Sequence, residues 1–338
     1  MRDNNVLPRI SDTERQALEA GTVWVDGQIF SGNPDFSKML AEPYNQHSEE
    51  EQAFIDGPVE ELCRMIDNYE VVTTRKVPDK VIKFLKKQGF MGLLIPKQYG
   101  GKEFSTLAIS SIMAKINAYN PTVGTLVVIP NSLGAAELLK HYGTEEQKDA
   151  YLPKLASGEY VPCFGLTEPT AGSDAASIKA EGVVFKDDDG VIKVKLNFRK
   201  RYITLAPIAN LISLAFQMHD PENLLGKGEY PGITVMLLHK GTPGLTTGNH
   251  HLPIGMSFYN GPIIGEDVVA PVDQIIGGPE YAGQGWRMLM EQLAGGRAVS
   301  LPAGAIGGMK IAAAATGAYS MIRNQFDIPI GLMEGVQE

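Results

Sequence analysis

The sequence has few cysteines and no long apolar run. Cys63 and Cys163 are its only two cysteines, and they lie far apart in the chain. A disulfide framework requires more of them, so we expect free thiols and a cytoplasmic protein. No stretch of about 18 uninterrupted apolar residues is present to cross a bilayer. Residues 1–4 lack the apolar core of a signal peptide, so we expect no secretion signal.

Basic charge is also scarce. The 338 residues carry a formal net charge of −9, and the isoelectric point is about 5.3. Proteins that bind nucleic acid normally present a basic face. The composition therefore argues against a nucleic-acid partner.

The motifs of several common enzyme classes are missing. The sequence contains no G-x-S-x-G, no H-E-x-x-H and no Walker loop. The glycines between residues 277 and 285 do not follow the strand–G-x-G-x-x-G–helix pattern of a Rossmann fold. His250 and His251 are adjacent, which makes it difficult for them to share one metal ion, and no further cysteine or histidine pair supports them. We expect them on a solvated loop, and we expect no metal site.

Composition divides the chain into three regions. Residues 1–160 show apolar residues at helical spacing, and residues 161–280 contain β-branched and aromatic runs separated by glycine and proline. Residues 281–338 are rich in alanine, methionine and leucine, which indicates helices again. This order predicts three domains arranged as α–β–α, without internal repeats.

Several helix ends are predicted in the first region. Pro58 is placed in the first turn of a helix, and the apolar stripe of that helix consists of Val59, Leu62, Cys63 and Ile66. Gly89 is expected to end a later helix. Thr144 and Gln147 form a capping box, which predicts the start of another.

The second and third regions also contain local signals. Residues 182–185 and 191–196 flank the turn sequence D-D-D-G at 187–190, which predicts a β-hairpin. Residues 211–216 and 233–239 predict two further strands.

In the third region, residues 303–319 carry Gly304, Gly307 and Gly308 at helix-packing spacing, with Lys310 in the middle. These features favour a tightly packed helix of a soluble protein over a membrane helix. Residues 331–338 resemble the start of another helix, so we expect the natural protein to continue.

A short basic run lies before residue 202. It consists of Lys193, Lys195, Arg199, Lys200 and Arg201. Alternation along a strand predicts a solvated face for these side chains. Contact with a phosphate group is the alternative.

Residues 163–174 are the most informative segment. A short apolar run enters a turn made of proline, glycine and small hydroxyl residues. Such a turn exposes backbone N–H groups and hydroxyls, as a site for an anion or a heterocycle requires. From composition alone, a capped β-turn is an equally good interpretation.

Residues 166–174 read L-T-E-P-T-A-G-S-D, which resembles the signature of the acyl-CoA dehydrogenase family. Other similar segments are P-K-Q-Y-G-G at 96–101, G-T-E-E-Q-K at 143–148, Y-L-P at 151–153, Y-I-T at 202–204 and R-N-Q-F at 323–326. The resemblance covers nearly the whole chain from about residue 49. The sequences of four segments are most similar to the large bacterial long-chain acyl-CoA dehydrogenases of fatty-acid β-oxidation. These segments are residues 51–54, 202–207, 220–221 and 283–287.

The resemblance implies an α+β (α–β–α) fold. It consists of an N-terminal helical domain, a middle β-barrel or sandwich domain with the flavin loop, and the start of a C-terminal helical bundle. The implied activity is FAD-dependent α,β-dehydrogenation of a long- or medium-chain fatty acyl-CoA to a trans-2-enoyl-CoA. The implied partners are electron-transfer flavoprotein and further copies of the chain, as a homodimer or homotetramer. The alternatives are an acyl-CoA oxidase, another flavoprotein of this fold, and a non-catalytic binding protein.

The resemblance also implies roles for individual residues. The residues expected along the flavin are Phe164, Leu166, Thr167, Tyr202 and Thr204. Those expected to support the flavin or the pantetheine arm are Gly172 and Ser173. Those expected to reach the FAD of a partner subunit are Arg323 and Phe326, and Arg297 is expected near the CoA channel. The alternatives are a buried structural aromatic for Tyr202, a helix-surface charge for Arg323 and a structural salt bridge for Arg297.

Some positions depart from the family pattern. Tyr202 stands where tryptophan is usual, and Leu205 and Phe198 replace an asparagine and a glycine. Tyrosine keeps an aromatic face for stacking, so we expect flavin binding to be retained.

The catalytic base is not predicted within the chain. Some relatives place the basic glutamate just before the position of Arg297, where this chain has Gly296. The other family position is expected beyond Glu338, so we expect the 338-residue chain to be inactive. Large bacterial relatives often carry an N-terminal membrane anchor; none is seen here, and we expect at most a peripheral association with the inner membrane.

Overall fold

The computed structural model describes residues 25–248, 250–253 and 256–337 of the chain. The expectation that residues 1–4 form no signal peptide lies outside the described residues. The chain divides into two compact units, Met1–Gln46 and His47–Glu338.

Two short helices are described in the first unit, α1 (Val25–Phe30) and α2 (Phe36–Ala41). Asp35 caps α2, because its carboxylate accepts hydrogen bonds from the backbone amides of Ser37 and Lys38. No side chain of α2 is buried.

Helices precede the sheet in the second unit. They are α3 (Glu49–Phe54), α4 (Glu60–Met65), α5 (Asn68–Thr74), α6 (Asp79–Gln88), α7 (Thr106–Tyr119), α8 (Pro121–Val128), α9 (Ala135–Tyr142) and α10 (Glu145–Ser157). Ser48 and Glu51 form a capping box at the start of α3, and Thr144 and Gln147 form the predicted one at α10. Gly89 ends α6 in the left-handed region, with φ of 82°, which confirms the predicted helix stop.

The helix that contains Pro58 begins earlier than predicted. Its capping box starts it at Glu49, and Pro58 lies inside a π-helical turn, Ile55–Val59, that joins α3 to α4. Proline has no N–H to donate in the α-helical register, and the wider turn accommodates that loss. Ile66 lies just past the end of α4, with extended backbone. The placement of Pro58 in a first turn was therefore wrong.

Glu51 links α3 to the start of α7. One carboxylate oxygen accepts a hydrogen bond from the amide of Ser105 at 2.6 Å, and the other accepts from the amide of Ser48 at 2.8 Å. Burial acts to raise the pKa of Glu51, but these hydrogen bonds outweigh it and lower the pKa from its ordinary 4.5 to about 2. The ionised form is therefore the one that stabilises the fold.

We expect Glu51→Gln to lower the free energy of unfolding by about 1–3 kcal/mol at pH 7, because two hydrogen bonds to a charged group are weakened. A lowered folded-state pKa gives stability that is present above 4.5 and is lost as the pH falls toward about 2. The free energies of unfolding of the variant and the wild type should therefore become more similar in acid. Urea unfolding at pH 7 and at about pH 3 measures them, with the exposed neighbour Glu50→Gln as control. An equal difference at both values would contradict this account.

One seven-stranded sheet forms the middle of the chain. Its strands are β1 (Pro162–Gly165), β2 (Glu181–Lys186), β3 (Ile192–Thr204), β4 (Leu211–His219), β5 (Gly232–His239), β6 (Leu245–Thr247) and β7 (Asn260–Pro271). The order is β1-β4-β2-β3-β7-β6, and β5 pairs with β4. β1 and β2 run parallel to β4, whereas the other pairings are antiparallel.

The predicted hairpin is confirmed. β2 and β3 are antiparallel, with Val184 opposite Val194. β3 continues past the predicted strand and pairs with β7 as far as Thr204. The pairing of β3 with β7 shifts register between Lys200 and Ile203. Such a bulge bends the strand and re-aims its side chains, and this one lies next to the cavity described below.

Helices return after the sheet. They are α11 (Gly285–Met288) and α12 (Ala294–Ile322), joined by a π-helical turn, Leu289–Leu293. A two-residue hairpin follows, β8 (Asn324–Gln325) with β9 (Ile328–Pro329), and then α13 (Glu334–Gln337). The order of helices, sheet and helices confirms the predicted fold class. The domain boundaries at 160 and 280 stay predictions.

α12 packs tightly along one face only. A Cβ added at Gly307 would lie 2.3 Å from the carbonyl oxygen of Ala114 in α7, and one at Gly304 would contact Asn117. Gly308 faces open space. Apolar side chains elsewhere on α12 are exposed, including Met309 and Ile322. The prediction of a tightly packed helix is therefore wrong for most of its surface.

Two helical stretches are long and apolar enough, by length and composition alone, to cross a membrane. They are Pro121–Tyr142, whose apolar 18-residue window is 83% buried inside the protein, and Gly295–Ile322, whose window is 17% buried. Core helices of other proteins pass the same test. Both cysteines are free, and both are buried.

Candidate functional site

A cavity of about 170 Å³ opens where the ends of β1 and β3 meet two helical turns. The lining residues are Ile129, Leu133, Phe164, Leu166, Thr167, Tyr202, Ile203, Thr204, Leu289, Leu293 and Arg297. Most are apolar, and the polar ones are two threonines, a tyrosine and an arginine. This composition, with few polar groups on an apolar surface, is typical of a small-molecule site.

The first wall is the segment that follows β1. Parallel pairing with β4 sets β1, with Phe164 opposite Ser213. Leu166 and Thr167 come directly after the strand ends, and the carbonyl of Thr167 accepts a hydrogen bond from the amide of Arg201 at 3.0 Å. The loop is thereby held against β3. No hydrogen bond of the Thr167 hydroxyl occurs within the described residues, so the hydroxyl is available to a ligand.

The second wall is the end of β3. Tyr202 follows the bulge and has a left-handed backbone, with φ of 58°, a conformation that costs energy for a bulky residue. Its side chain is 54% exposed, which excludes the alternative of a buried structural aromatic. The guanidinium of Arg201 lies 4.1 Å from the ring centroid, and the ring of His251 meets it edge-on at 5.0 Å. Thr204 accepts a long hydrogen bond of 3.4 Å from the Asn260 side chain.

The third wall comes from two π-helical turns, Ile129–Leu133 and Leu289–Leu293. The first turn presents Ile129 and Leu133 to the cavity, and the second presents Leu289 and Leu293. A hydrogen bond links the turn Ile129–Leu133 to α12, because the hydroxyl of Ser300 donates to that of Ser132 at 3.0 Å. π-helical turns of this kind often occur at functional sites. These turns have no periodic signal in the sequence, because an apolar run has the same pattern in an α-helix and in a π-helix.

Arg297 reaches the cavity from the first turn of α12. Its Nε donates to the carbonyl of Leu293 at 3.2 Å. Within the described part of the chain no carboxylate forms an ion pair with it, so the alternative of a structural salt bridge is not supported. Its charge is available to an anionic ligand.

The remaining predicted residues lie outside the cavity. Gly172 and Ser173 are exposed on the turn that follows Glu168 and Ala171. Arg323 and Phe326 are exposed at the hairpin after α12, and Arg323 donates to the carbonyl of Asn324. Their predicted contacts with the substrate and with a partner subunit stay predictions.

The basic run does not form a uniform solvated face. Lys193 and Lys195 pair at the surface with Asp187 and Asp267. Lys200 is instead 1% exposed and pairs with Glu168. The solvated-face prediction was wrong for Lys200, because alternation along β3 places it on the same buried face as Val194, Leu196 and Phe198.

The described residues hold no cluster of three or more histidine, cysteine, aspartate or glutamate side chains that could bind a metal ion. The two histidines at 250 and 251 lie on a loop. His250 is near the ring of Tyr259, and the amide of His251 donates to the carbonyl of Asn260.

Comparison with known proteins gives two family matches. The model of the acyl-CoA dehydrogenase N-terminal domain matches residues 48–159, and that of the acyl-CoA dehydrogenase middle domain matches residues 163–268. Together they include the β1 loop and the end of β3.

Individual proteins are similar over most of the chain. An acyl-CoA dehydrogenase of Bacillus subtilis is 31% identical over 264 residues, which cover 78% of this chain and 65% of the relative. A Mycobacterium tuberculosis protein named "Probable acyl-CoA dehydrogenase FadE10" is 29% identical over 313 residues, which cover 91% of this chain and 46% of the relative. The structure of butyryl-CoA dehydrogenase from Megasphaera elsdenii superposes with a TM-score of 0.75 at 25% identity, over 88% of this chain and 75% of that one. The chain thus spans about half to two thirds of these curated relatives.

Proposed function

Because this chain belongs to the acyl-CoA dehydrogenase family, we propose that it binds FAD at the cavity between β1, β3 and the two π-helical turns. The function proposed for the protein is α,β-dehydrogenation of a fatty acyl-CoA to a trans-2-enoyl-CoA. One observation carries the proposal: the loop at residues 166–167 and the strand end at 202–204, which bear the family resemblance, face each other across one cavity.

The lining residues suit a flat heterocycle with a polar edge. The exposed ring of Tyr202 offers a surface for stacking. The leucines of the two helical turns keep water from the opposite side, and the hydroxyls of Thr167 and Thr204 lie where they can bond the polar edge of the ring. When bound, FAD supplies the hydride acceptor for the acyl thioester. Arg297 offers an unpaired positive charge beside it.

We assign proton abstraction to no residue of this chain. Among the described residues that line the cavity there is no carboxylate. At Gly296, a Cβ would lie 2.7 Å from the carbonyl oxygen of Ser132. That close approach of α12 to the turn Ile129–Leu133 leaves no room for a glutamate at this position.

The substrate class, the metabolic role, the electron acceptor, the contact with a second copy and the location are proposals as well. We propose long- or medium-chain acyl groups as substrates, a role in fatty-acid β-oxidation, and electron-transfer flavoprotein as the acceptor. Exposure of Arg323 and Phe326 at the end of α12 suits the proposal that they contact the FAD of a second copy of the chain. The proposed location is the cytoplasm.

A titration tests the proposal. FAD is added to the purified chain while its fluorescence and visible spectrum are recorded, with free riboflavin as the matched control. We expect saturable quenching with FAD, and a perturbed visible band when palmitoyl-CoA is added without oxygen. Absence of any spectral change on FAD addition would overturn the flavin site. Anaerobic bleaching of the flavin by palmitoyl-CoA would instead show that the chain contains a working base.

A further inference from the structure

The ion pair of Lys200 and Glu168 is the most buried ion pair among the described residues. The lysine side chain is 0% exposed and the glutamate side chain 5% exposed. Their nearest nitrogen and oxygen atoms are 2.6 Å apart. In every other ion pair among the described residues, at least one side chain is 29% exposed or more.

Each partner makes further hydrogen bonds. The Lys200 ammonium donates to the carbonyl of Leu166 at 3.0 Å. The Glu168 carboxylate accepts from the backbone amides of Lys179 at 2.7 Å and Ala180 at 3.0 Å. The pair therefore joins three segments, namely β3, the loop after β1, and the residues that lead into β2.

The location of the pair connects it to the cavity. Leu166 and Thr167 form the first wall, and Tyr202 and Thr204 form the second. Lys200 lies two residues before Tyr202, at the bulge, and its ammonium group donates a hydrogen bond to the carbonyl of Leu166 on the opposite wall. This contact joins the two walls, together with the hydrogen bond from the Arg201 amide to the Thr167 carbonyl.

Stability alone does not explain such a pair. Removing two charges from water is costly, and apolar residues of similar volume usually serve a core equally well. Burial lowers the pKa of Lys200 to about 8, against the opposing effect of Glu168. Burial also acts to raise the pKa of Glu168, but Lys200 and the two amides outweigh it and hold that pKa below its usual range. Both groups are therefore charged at pH 7.

We infer that Lys200 and Glu168 are positioning residues, which set the affinity of the cavity for flavin by holding the main chain of residues 166–167 opposite the ring of Tyr202. Neither residue touches the ligand. The inference rests on the proposed function and adds to it the pair of side chains that shapes the site.

The test compares folding with flavin affinity. Lys200→Met alone leaves a buried carboxylate without its partner, so it should lower the melting temperature as well as FAD affinity. Lys200→Met combined with Glu168→Gln removes both charges, and its melting temperature should return close to that of the wild type. FAD affinity of this double variant should still be at least tenfold weaker, and its bound flavin should show a less structured visible band. Lys195→Met, on the same strand but at the surface, is the matched control and should bind as the wild type does.

The outcomes separate the possible failures. Wild-type FAD affinity and spectrum in the double variant would overturn the inference while leaving the proposed function intact. Absence of FAD binding in the wild type and in Lys195→Met would overturn both. If the double variant does not fold, hydrogen exchange in Glu168→Gln replaces it. The amide of Arg201, which bonds the carbonyl of Thr167, should then exchange faster than in the wild type, and unchanged exchange would overturn the inference.

Discussion

Replacing Tyr202 by alanine will weaken FAD binding by about 5- to 150-fold. The ring is 54% exposed at the cavity, and it is the only aromatic surface among the lining residues beside Phe164, which is half-buried. Stacking of a heterocycle on an aromatic side chain contributes about 1–3 kcal/mol, which corresponds to this range of affinity. Fluorescence titration with FAD measures the change. Tyr202→Trp should bind at least as tightly as the wild type, because it keeps and enlarges the stacking face.

Controls distinguish stacking from a general loss of structure. Tyr230 is an exposed tyrosine that stacks on His219 outside the cavity, so Tyr230→Ala should leave FAD affinity unchanged. Tyr202→Ala should also unfold at nearly the same urea concentration as the wild type, since the removed ring is largely exposed. Equal FAD affinity in Tyr202→Ala and the wild type would place the flavin elsewhere.

Replacing Asn131 by leucine will lower the free energy of unfolding by about 3–5 kcal/mol. The side chain is 2% exposed. Its oxygen accepts from the amide of Leu93 at 2.7 Å, and its nitrogen donates to the carbonyls of Phe90 at 2.7 Å and Val127 at 2.8 Å. Leucine has a similar volume but removes three hydrogen bonds to buried main-chain groups, and each such group left without a partner costs about 1–3 kcal/mol. Equilibrium unfolding in urea measures the loss.

The exposed residue Asn197 offers a matched control. Its side chain bonds only Asp267 at the surface, so Asn197→Leu should change the free energy of unfolding by less than about 1 kcal/mol. A urea midpoint of Asn131→Leu equal to that of the wild type would show that the backbone groups find other partners. Asn131 also belongs to the turn Ile129–Leu133 that lines the cavity, so FAD should bind more weakly to the variant even where it remains folded.

Local features of the fold could be predicted from the sequence because their causes are local. The stop at Gly89, the capping box of Thr144 and Gln147, and the hairpin around residues 187–190 each depend on residues within one or two turns of each other. The start of the first long helix was misplaced for a related reason. Proline is common in a first turn, and nothing local to Pro58 announces the π-helical turn that contains it.

Residues of the candidate site could be predicted only where they lie in a recognisable sequence motif. Leu166, Thr167, Tyr202 and Thr204 lie in segments that resemble a family signature, and the structure brings them to one cavity. The leucines of the helical wall lie in no such segment, since any core position favours leucine. The burial of Lys200 could not be predicted from the sequence. A lysine in a strand is normally solvated, and its burial depends on a glutamate 32 residues earlier in the chain.

The segments that form the three walls of the cavity are far apart in the sequence, and this separation determines when during folding the protein can bind its ligand. The first wall depends on pairing of β1 with β4, the second on β3 with β7, and the third on turns near residues 129 and 289. Contacts so distant in sequence form late, because each must first overcome the entropy of closing a long loop. The cavity therefore has no local precursor in the unfolded chain. A ligand added during refolding will find its site only after the slow step, so it will increase the yield of folded protein without increasing the rate at which that protein appears.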